Sequence, residues 1–244
     1  MHSATRSSTT TSTTRAPSRG SSIGTSPTGN ASATSSGPEP VAAPRAKRAL
    51  DVAVSASLLV ALAPVWAALL GLVGLDMLRC PRDRGRLLYR ERRISRGRTF
   101  DLLKLRTLRE GVLVEAEGHV RPFEADVGNL TWVGRRVLKP LYLDELPQLL
   151  NVLRGEMSLV GPRPWPPELV ERQLARGVDY RLRVTAGWTG PAQVSKGLDL
   201  QFENLDRAYV ELLESRRARE IVRHDLGILR RTLGTMLRGE GLAY

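Results

Sequence analysis

The chain has 244 residues, enough for one domain plus extensions, and a net charge of +12 at neutral pH. So basic a protein meets either nucleic acid or an anionic membrane face with phosphorylated substrates. Aromatic residues are only 5% of the chain and no nucleic-acid module is visible, so stacking platforms are poorly supplied and nucleic acid is not the expected partner.

Residues 1–44 are Ser, Thr, Gly, Pro and Ala with no acid before Glu39, too apolar-poor to offset ordering entropy, and are expected to form a disordered tail. The tail has the arginines of a transit peptide without its amphipathic period. No apolar core follows them within the first 30 residues, so it does not read as a secretory signal.

Residues 45–79 hold the one long apolar run, Val52 to Leu75, which is uncharged and long enough to span a bilayer. Pro64 sits mid-run, where it kinks or breaks a helix. Both flanks are basic: Arg45, Lys47 and Arg48 before, Arg79, Arg82, Arg84 and Arg86 after. A straight crossing would put one cluster on the wrong face. The sequence therefore favours a re-entrant helix broken at Ala63-Pro64, with a straight span or a buried core helix as alternatives.

Residues 80–244 read as a cytoplasmic catalytic domain. The runs 86–94 and 99–105 flank Ser95-Arg96-Gly97-Arg98 and predict a small β-hairpin, with Lys104 and Arg106 near its end as candidate phosphate ligands. Arg109 to Gly128 looks like a polar surface loop. Arg135, Arg136 and Lys139 lead into Leu143-Asp144-Glu145-Leu146-Pro147-Gln148-Leu149. The spacing of Leu146, Leu149, Leu150 and Leu153 predicts a helix starting near Asp144, since Pro147 is tolerated only in a first turn. Asp144 and Glu145 read two ways. They are an N-cap and a dipole-favoured acid, or they are catalytic and Mg²⁺-binding carboxylates beside free helix-start amides. Cys80 is alone and His2, His119 and His224 are scattered, which argues against a disulfide or a zinc site and leaves a hard cation such as Mg²⁺.

Downstream, Gly161-Pro162-Arg163-Pro164 is a stiff loop whose arginine suits phosphate or a surface carboxylate. Gly187-Trp188-Thr189-Gly190-Pro191 reads as a turn. Leu226, Leu229, Leu233 and Met236 form the apolar stripe of a basic C-terminal helix, either interfacial or packed on the domain. The fold class is α+β, mainly α-helical, with amphipathic interfacial helices.

Taken in order, these blocks resemble the bacterial sugar transferases, the monotopic polyprenyl-phosphate phosphoglycosyl transferases, from Arg45 to the C-terminus. Lys47, Arg48 and Asp51 match the family's opening. Lys104-Leu105-Arg106-Thr107-Leu108, Asp144 to Leu149, Met157 to Pro164, and Ala186 to Val194 match its later blocks. The resemblance implies transfer of a sugar 1-phosphate from a UDP-sugar donor to polyprenyl (undecaprenyl) phosphate, releasing UMP and initiating exopolysaccharide or another surface glycan. It implies Asp144 as nucleophile, Glu145 as its partner in a Mg²⁺ or positioning role, Arg163 as a phosphate ligand, and membrane lipids around a re-entrant helix. It places the chain at the bacterial inner membrane with the catalytic domain on the cytoplasmic face. The oligomeric state stays open between monomer and homodimer. The sequence departs from the family pattern at Ala63, Glu91, Ser95, Leu105, Leu108 and Ala186, none of which removes the carboxylates or Arg163. Rival expectations are a membrane-associated glycosyltransferase releasing UDP and a non-catalytic membrane scaffold for glycan assembly.

Overall fold

A computed structural model describes residues 38–116, 121–195 and 202–238. The expected tail falls outside the described residues up to residue 37. Its last part, 38–44, is non-helical but attached: the Val41 amide donates to the Arg183 carbonyl at 2.7 Å, and the Val41 side chain packs on the core.

The apolar run forms two helices, α1 (Arg45–Ala61) and α2 (Ala63–Arg79), bent by 61°. The break falls at Leu62, one residue before the expected Ala63-Pro64 step, and Pro64 takes the first turn of α2, where its missing N–H costs no helical bond. Among the described residues no single helix is long and apolar enough to cross a membrane, but the bent pair passes that test by length and composition. One face of α1, Lys47, Asp51 and Ser55, is buried against the rest of the protein. Leu69 and Val73 of α2 join Leu105, Val133, Leu138 and Leu146 in a shared apolar cluster.

The hairpin is present, as β1 (Leu88–Ser95) and β2 (Arg98–Leu105), antiparallel with Ser95 opposite Arg98. Its two turn residues, Arg96 and Gly97, both have positive φ (49° and 72°), the backbone that matches strand twist in a tight hairpin. The expected loop from Arg109 to Gly128 instead contains two short helices, α3 (Glu110–Ala116) and α4 (Arg121–Glu124). Val112, Leu113 and Phe123 explain them, because they pack around Leu108 and Leu130.

The helix of the acidic motif, α5 (Gln148–Arg154), is preceded by a separate 3-10 turn, Leu143–Glu145. Then come β3 (Ser158–Val160), α6 (Pro167–Leu174), α7 (Tyr180–Arg183), β4 (Gly187–Thr189), α8 (Phe202–Ser215) and α9 (Ala218–Leu237). β3 and β4 pair in parallel across the α6–α7 connection. This pairing corrects the reading of 187–191 as a mere turn. The ladder continues past β3: the Gly161 amide donates to the Thr189 carbonyl and the Gly187 amide to the Pro162 carbonyl, both at 2.9 Å. Only glycine fits, because a Cβ on Gly187 would lie 2.1 Å from the Gly161 nitrogen.

The main core gathers Leu102, Leu149, Val152, Leu159, Tyr209 and Ile228, among others, so the hairpin, α5, β3, α8 and α9 share one interior. On α9 the expected stripe is displaced: Ile221, Asp225, Ile228 and Thr232 face inward, while Leu226 and Leu233 are exposed.

Candidate active site

Asp144 and Glu145 lie in the 3-10 turn, 3% and 4% exposed, just before Leu146 of one apolar cluster and Leu149 of the main core. Tyr142, just before them, adopts a left-handed backbone (φ 55°) that a bulky residue rarely tolerates outside strained functional turns. The helix-cap reading does not survive. No side chain caps the 3-10 turn or α5 at its start. The amides of Glu145, Leu146, Leu149 and Leu150 donate to carbonyls three residues back. These four are satisfied within the chain and are not available to an anion.

Charge for that task comes from side chains. Arg163 Nη2 donates to Glu145 Oε1 at 3.1 Å. Lys139 Nζ lies 3.5 Å from Asp144 Oδ2 and 2.6 Å from Glu124 Oε1. Each carboxylate of the pair thus has its own cation. A π-helical turn, Gly134–Leu138, ends at Lys139 and aims it. The Lys139 and Arg163 side chains are 29% and 24% exposed, so both can be reached from solvent while the carboxylates are not.

Burial raises the Asp144 carboxyl to about 6; Lys139 pulls it down, Glu145 pushes it up, and Lys104 pulls it down in turn. Burial works against the charged form of Lys139, but the fields of Asp144 and Glu124 prevail and its pKa is raised.

The loop bearing Arg163 is held from behind. Arg181 Nη1 donates to the Arg163 carbonyl at 2.5 Å, Arg181 Nη2 binds Asp206 at 3.0 Å, and its guanidinium stacks 4.0 Å from the Trp165 ring centre. Beside Glu145 a recess of about 10 Å³ is lined by Tyr142, Trp188, Thr189, Thr232 and Met236. It has room for no more than a water.

Of the residues singled out in the sequence, the fold brings Asp144, Glu145 and Arg163 together. Lys104 is buried nearby, its ammonium 3.4 Å from Glu91, and its field reaches Asp144. Arg106 turns elsewhere, binding Glu110 at 2.7 Å and the Asp83 carbonyl. Ala63 and Pro64 open α2, in the apolar pair. In the sequence Lys139 is one member of a basic approach to the motif and Glu124 lies in what looks like a polar surface loop. No spacing rule flags either, because the π-turn and α4 bring them in.

Among the described residues no group of three or more His, Cys, Asp or Glu side chains could hold a metal ion alone. Two adjacent oxygen donors do fit Mg²⁺, which usually takes one or two carboxylates and completes its shell with water and substrate phosphates.

Comparison with known proteins adds a family. The bacterial sugar transferase model matches residues 42–239. The chain is 38% identical over 184 residues to the exopolysaccharide production protein ExoY of Sinorhizobium fredii, covering 68% of this chain and 76% of that protein. It is 40% identical over 220 residues to the UDP-glucose:undecaprenyl-phosphate glucose-1-phosphate transferase of Caulobacter vibrioides, covering 82% and 73%. It is 33% identical to the undecaprenyl-phosphate galactose phosphotransferase of Salmonella typhimurium, covering 80% of this chain but only 41% of that longer protein.

Proposed function

The chain belongs to the bacterial sugar transferase family, and on that premise we propose that it is a phosphoglycosyl transferase moving a sugar 1-phosphate from a UDP-sugar to polyprenyl phosphate. The observation that carries this reading is the buried pair Asp144-Glu145, each acid faced by a cation, Lys139 and Arg163, that solvent can reach. That arrangement suits phosphoryl chemistry, in which positioning and charge neutralisation are most of the catalysis.

In the first half-reaction an Asp144 carboxylate oxygen attacks the phosphorus that bears the sugar. The bond from that phosphorus to the bridging oxygen breaks, and UMP leaves with the electron pair. In the second, an oxygen of polyprenyl phosphate attacks the same phosphorus and Asp144 departs as a carboxylate, leaving a polyprenyl diphosphate sugar. Burial suits Asp144 to this role, because a desolvated carboxylate is a stronger nucleophile once its proton is gone. Lys139 and the guanidinium fork of Arg163 hold the phosphate oxygens, with Glu145 orienting Arg163. Asp144 and Glu145 would hold Mg²⁺, which when bound neutralises diphosphate charge. The product starts a surface glycan.

The bent pair α1–α2 is the membrane anchor, re-entrant from the cytoplasmic face of the inner membrane. Exposed apolar side chains along it, including Val60, Leu70, Leu75 and Leu78, support this reading. So do its two ends, both tied to the same domain. Lys47 and Arg48 bond to β3 and α5, and Asp76 near the end of α2 accepts from the Val133 amide at 3.2 Å. A straight crossing would pull one end away. Single cysteines near Arg45 and Arg84, in a Cys80→Ser background, are expected to resist a membrane-impermeant thiol reagent in intact cells. Labelling at one end only would mean a crossing.

The activity is tested by incubating the full-length protein with polyprenyl phosphate and a panel of UDP-sugars. UMP release, and a phosphosugar adduct on Asp144 with donor alone, are expected. UDP release would make it a conventional glycosyltransferase, and no turnover with any donor would favour a scaffold.

A further inference from the structure

α1 does more than lead into the apolar pair. Two buried side chains, Lys47 and Asp51, and the half-buried Arg48 bond to the two elements that flank the candidate active site, β3 and α5. Lys47 Nζ donates to the Val160 carbonyl at 3.0 Å and pairs with Asp225 of α9 at 2.6 Å. Tyr209 of α8 donates to the same carbonyl at 3.1 Å, with its hydroxyl 2.9 Å from the other Asp225 oxygen. Asp51 Oδ1 accepts from the Leu159 amide at 3.0 Å. One turn earlier, Arg48 donates to the Val152 and Leu153 carbonyls at 2.5 and 2.7 Å, closing the C-terminal end of α5.

These acceptors stand at particular places. Val160 ends β3 and lies three residues before Arg163, while α5 follows Asp144-Glu145 through Pro147. A buried ion pair stabilises little relative to apolar side chains of similar size, because desolvation offsets the attraction. What such bonds supply is direction. An apolar face on α1 would bury β3 equally well but would let it slide.

Resting on the phosphoglycosyl transferase reading, we propose that Lys47 and Asp51 are positioning residues, clamping β3 to the first helix of the membrane pair so that Arg163 meets Glu145 in register. Seating of α1 and geometry of the phosphate-binding arginine are then one event, and the anchor is part of the site's scaffold. Misplacement of a substrate-holding group by about 1 Å can cost on the order of 100-fold in rate.

The test uses the full-length protein in nanodiscs. Asp51→Ala removes the acceptor for the Leu159 amide, and Asp51→Asn keeps it without the charge. Expected for Asp51→Ala are a kcat lowered about 10- to 100-fold with donor KM nearly unchanged, and faster hydrogen exchange confined to residues 158–164. Asp51→Asn restores both. In an Arg163→Lys background, Asp51→Ala lowers kcat little further, because the group it positions is already altered. Unchanged kcat in Asp51→Ala overturns the proposal. So does an Asn variant as impaired as the Ala variant, an exchange increase spread over the whole domain, or a full additional loss in the Arg163→Lys background. Should Asp51→Ala not fold, Tyr209→Phe, which removes one of the two donors to Val160, is read by the same exchange and kcat criteria. Were wild type to turn over no UDP-sugar, the enzyme reading would fall, while the exchange arm would still decide whether α1 holds the Arg163 loop.

Discussion

Asp144 is 3% exposed and its carboxyl is raised to about 6, chiefly by burial. The folded-state value lies above the unfolded one near 4, so between about pH 4 and 6 the folded protein binds the proton more tightly. The stability this contributes is present below pH 4 and is lost as pH rises through 6. Asp144→Asn is therefore expected to melt above wild type at pH 8, by on the order of 1–3 kcal/mol, with the difference vanishing near pH 4. The same variant should lose turnover by at least about 1,000-fold, since an amide cannot replace the nucleophile. Thermal melts at the two pH values and UMP release decide both; a less stable variant at pH 8 would mean that its partners more than offset the burial. Activity has the opposite slope, rising with pH as Asp144 ionises, with an acid limb near 6. Lys139 is the largest influence lowering that value. Lys139→Met should move the limb upward in a kcat/KM profile, and an unmoved limb would assign it to another group.

At the scale of elements, α5 and the hairpin are joined by one side chain. Asn151 is fully buried, accepts from the Leu103 amide at 3.0 Å and donates to the Asp101 carbonyl at 2.8 Å, acting as a neighbouring strand would on the free edge of β2. Asn151→Leu leaves a buried amide unpaired and should cost about 2–3 kcal/mol, read from denaturant unfolding; a loss below 0.5 kcal/mol (roughly the scatter of surface substitutions) would show that water replaces it. The helix itself was readable from its leucines. Its inward face was not: Leu150 and Leu153 are only half-buried, whereas Asn151 and Val152 are fully enclosed. Periodicity locates an apolar stripe, but a polar residue with a dedicated partner looks like surface until the partner is known. The same reason displaced the stripe on α9, where Asp225 and Thr232 face inward because Lys47, Tyr209 and Thr189 await them.

For the whole molecule, the expected tail boundary at 44 acquires a test. Val41 is bonded to Arg183 and packed on the core, so removal of residues 1–37 should leave UMP release and melting unchanged. Removal of 1–43 should lower stability by about 1–2 kcal/mol through one lost hydrogen bond and one half-buried valine. Equal melting of the two truncations would show that Val41 contributes nothing. Lys47 and Arg48 must be spared in both, since they hold α1 to β3 and α5.

By itself the sequence determined the hairpin and its turn, the break in the apolar run, the carboxylate pair with its proline, and the arginine loop. These follow from local chemistry: a glycine able to take positive φ, a proline without an amide, a period of leucines. Only the tertiary structure decided what stands around them. It matched Lys139 to Asp144 and Arg163 to Glu145, turned the Leu149 and Leu150 amides onto the Leu146 and Pro147 carbonyls, and drew β3 against β4 through glycines that allow backbones to touch. It also turned Lys47, which the sequence offers as a membrane-flanking charge, and Asp51 into buried supports for the strand before Arg163. A charge is written in the sequence, but its energy depends on burial and on which partner lies within about 4 Å, and residues more than 100 positions apart become neighbours only when the core forms.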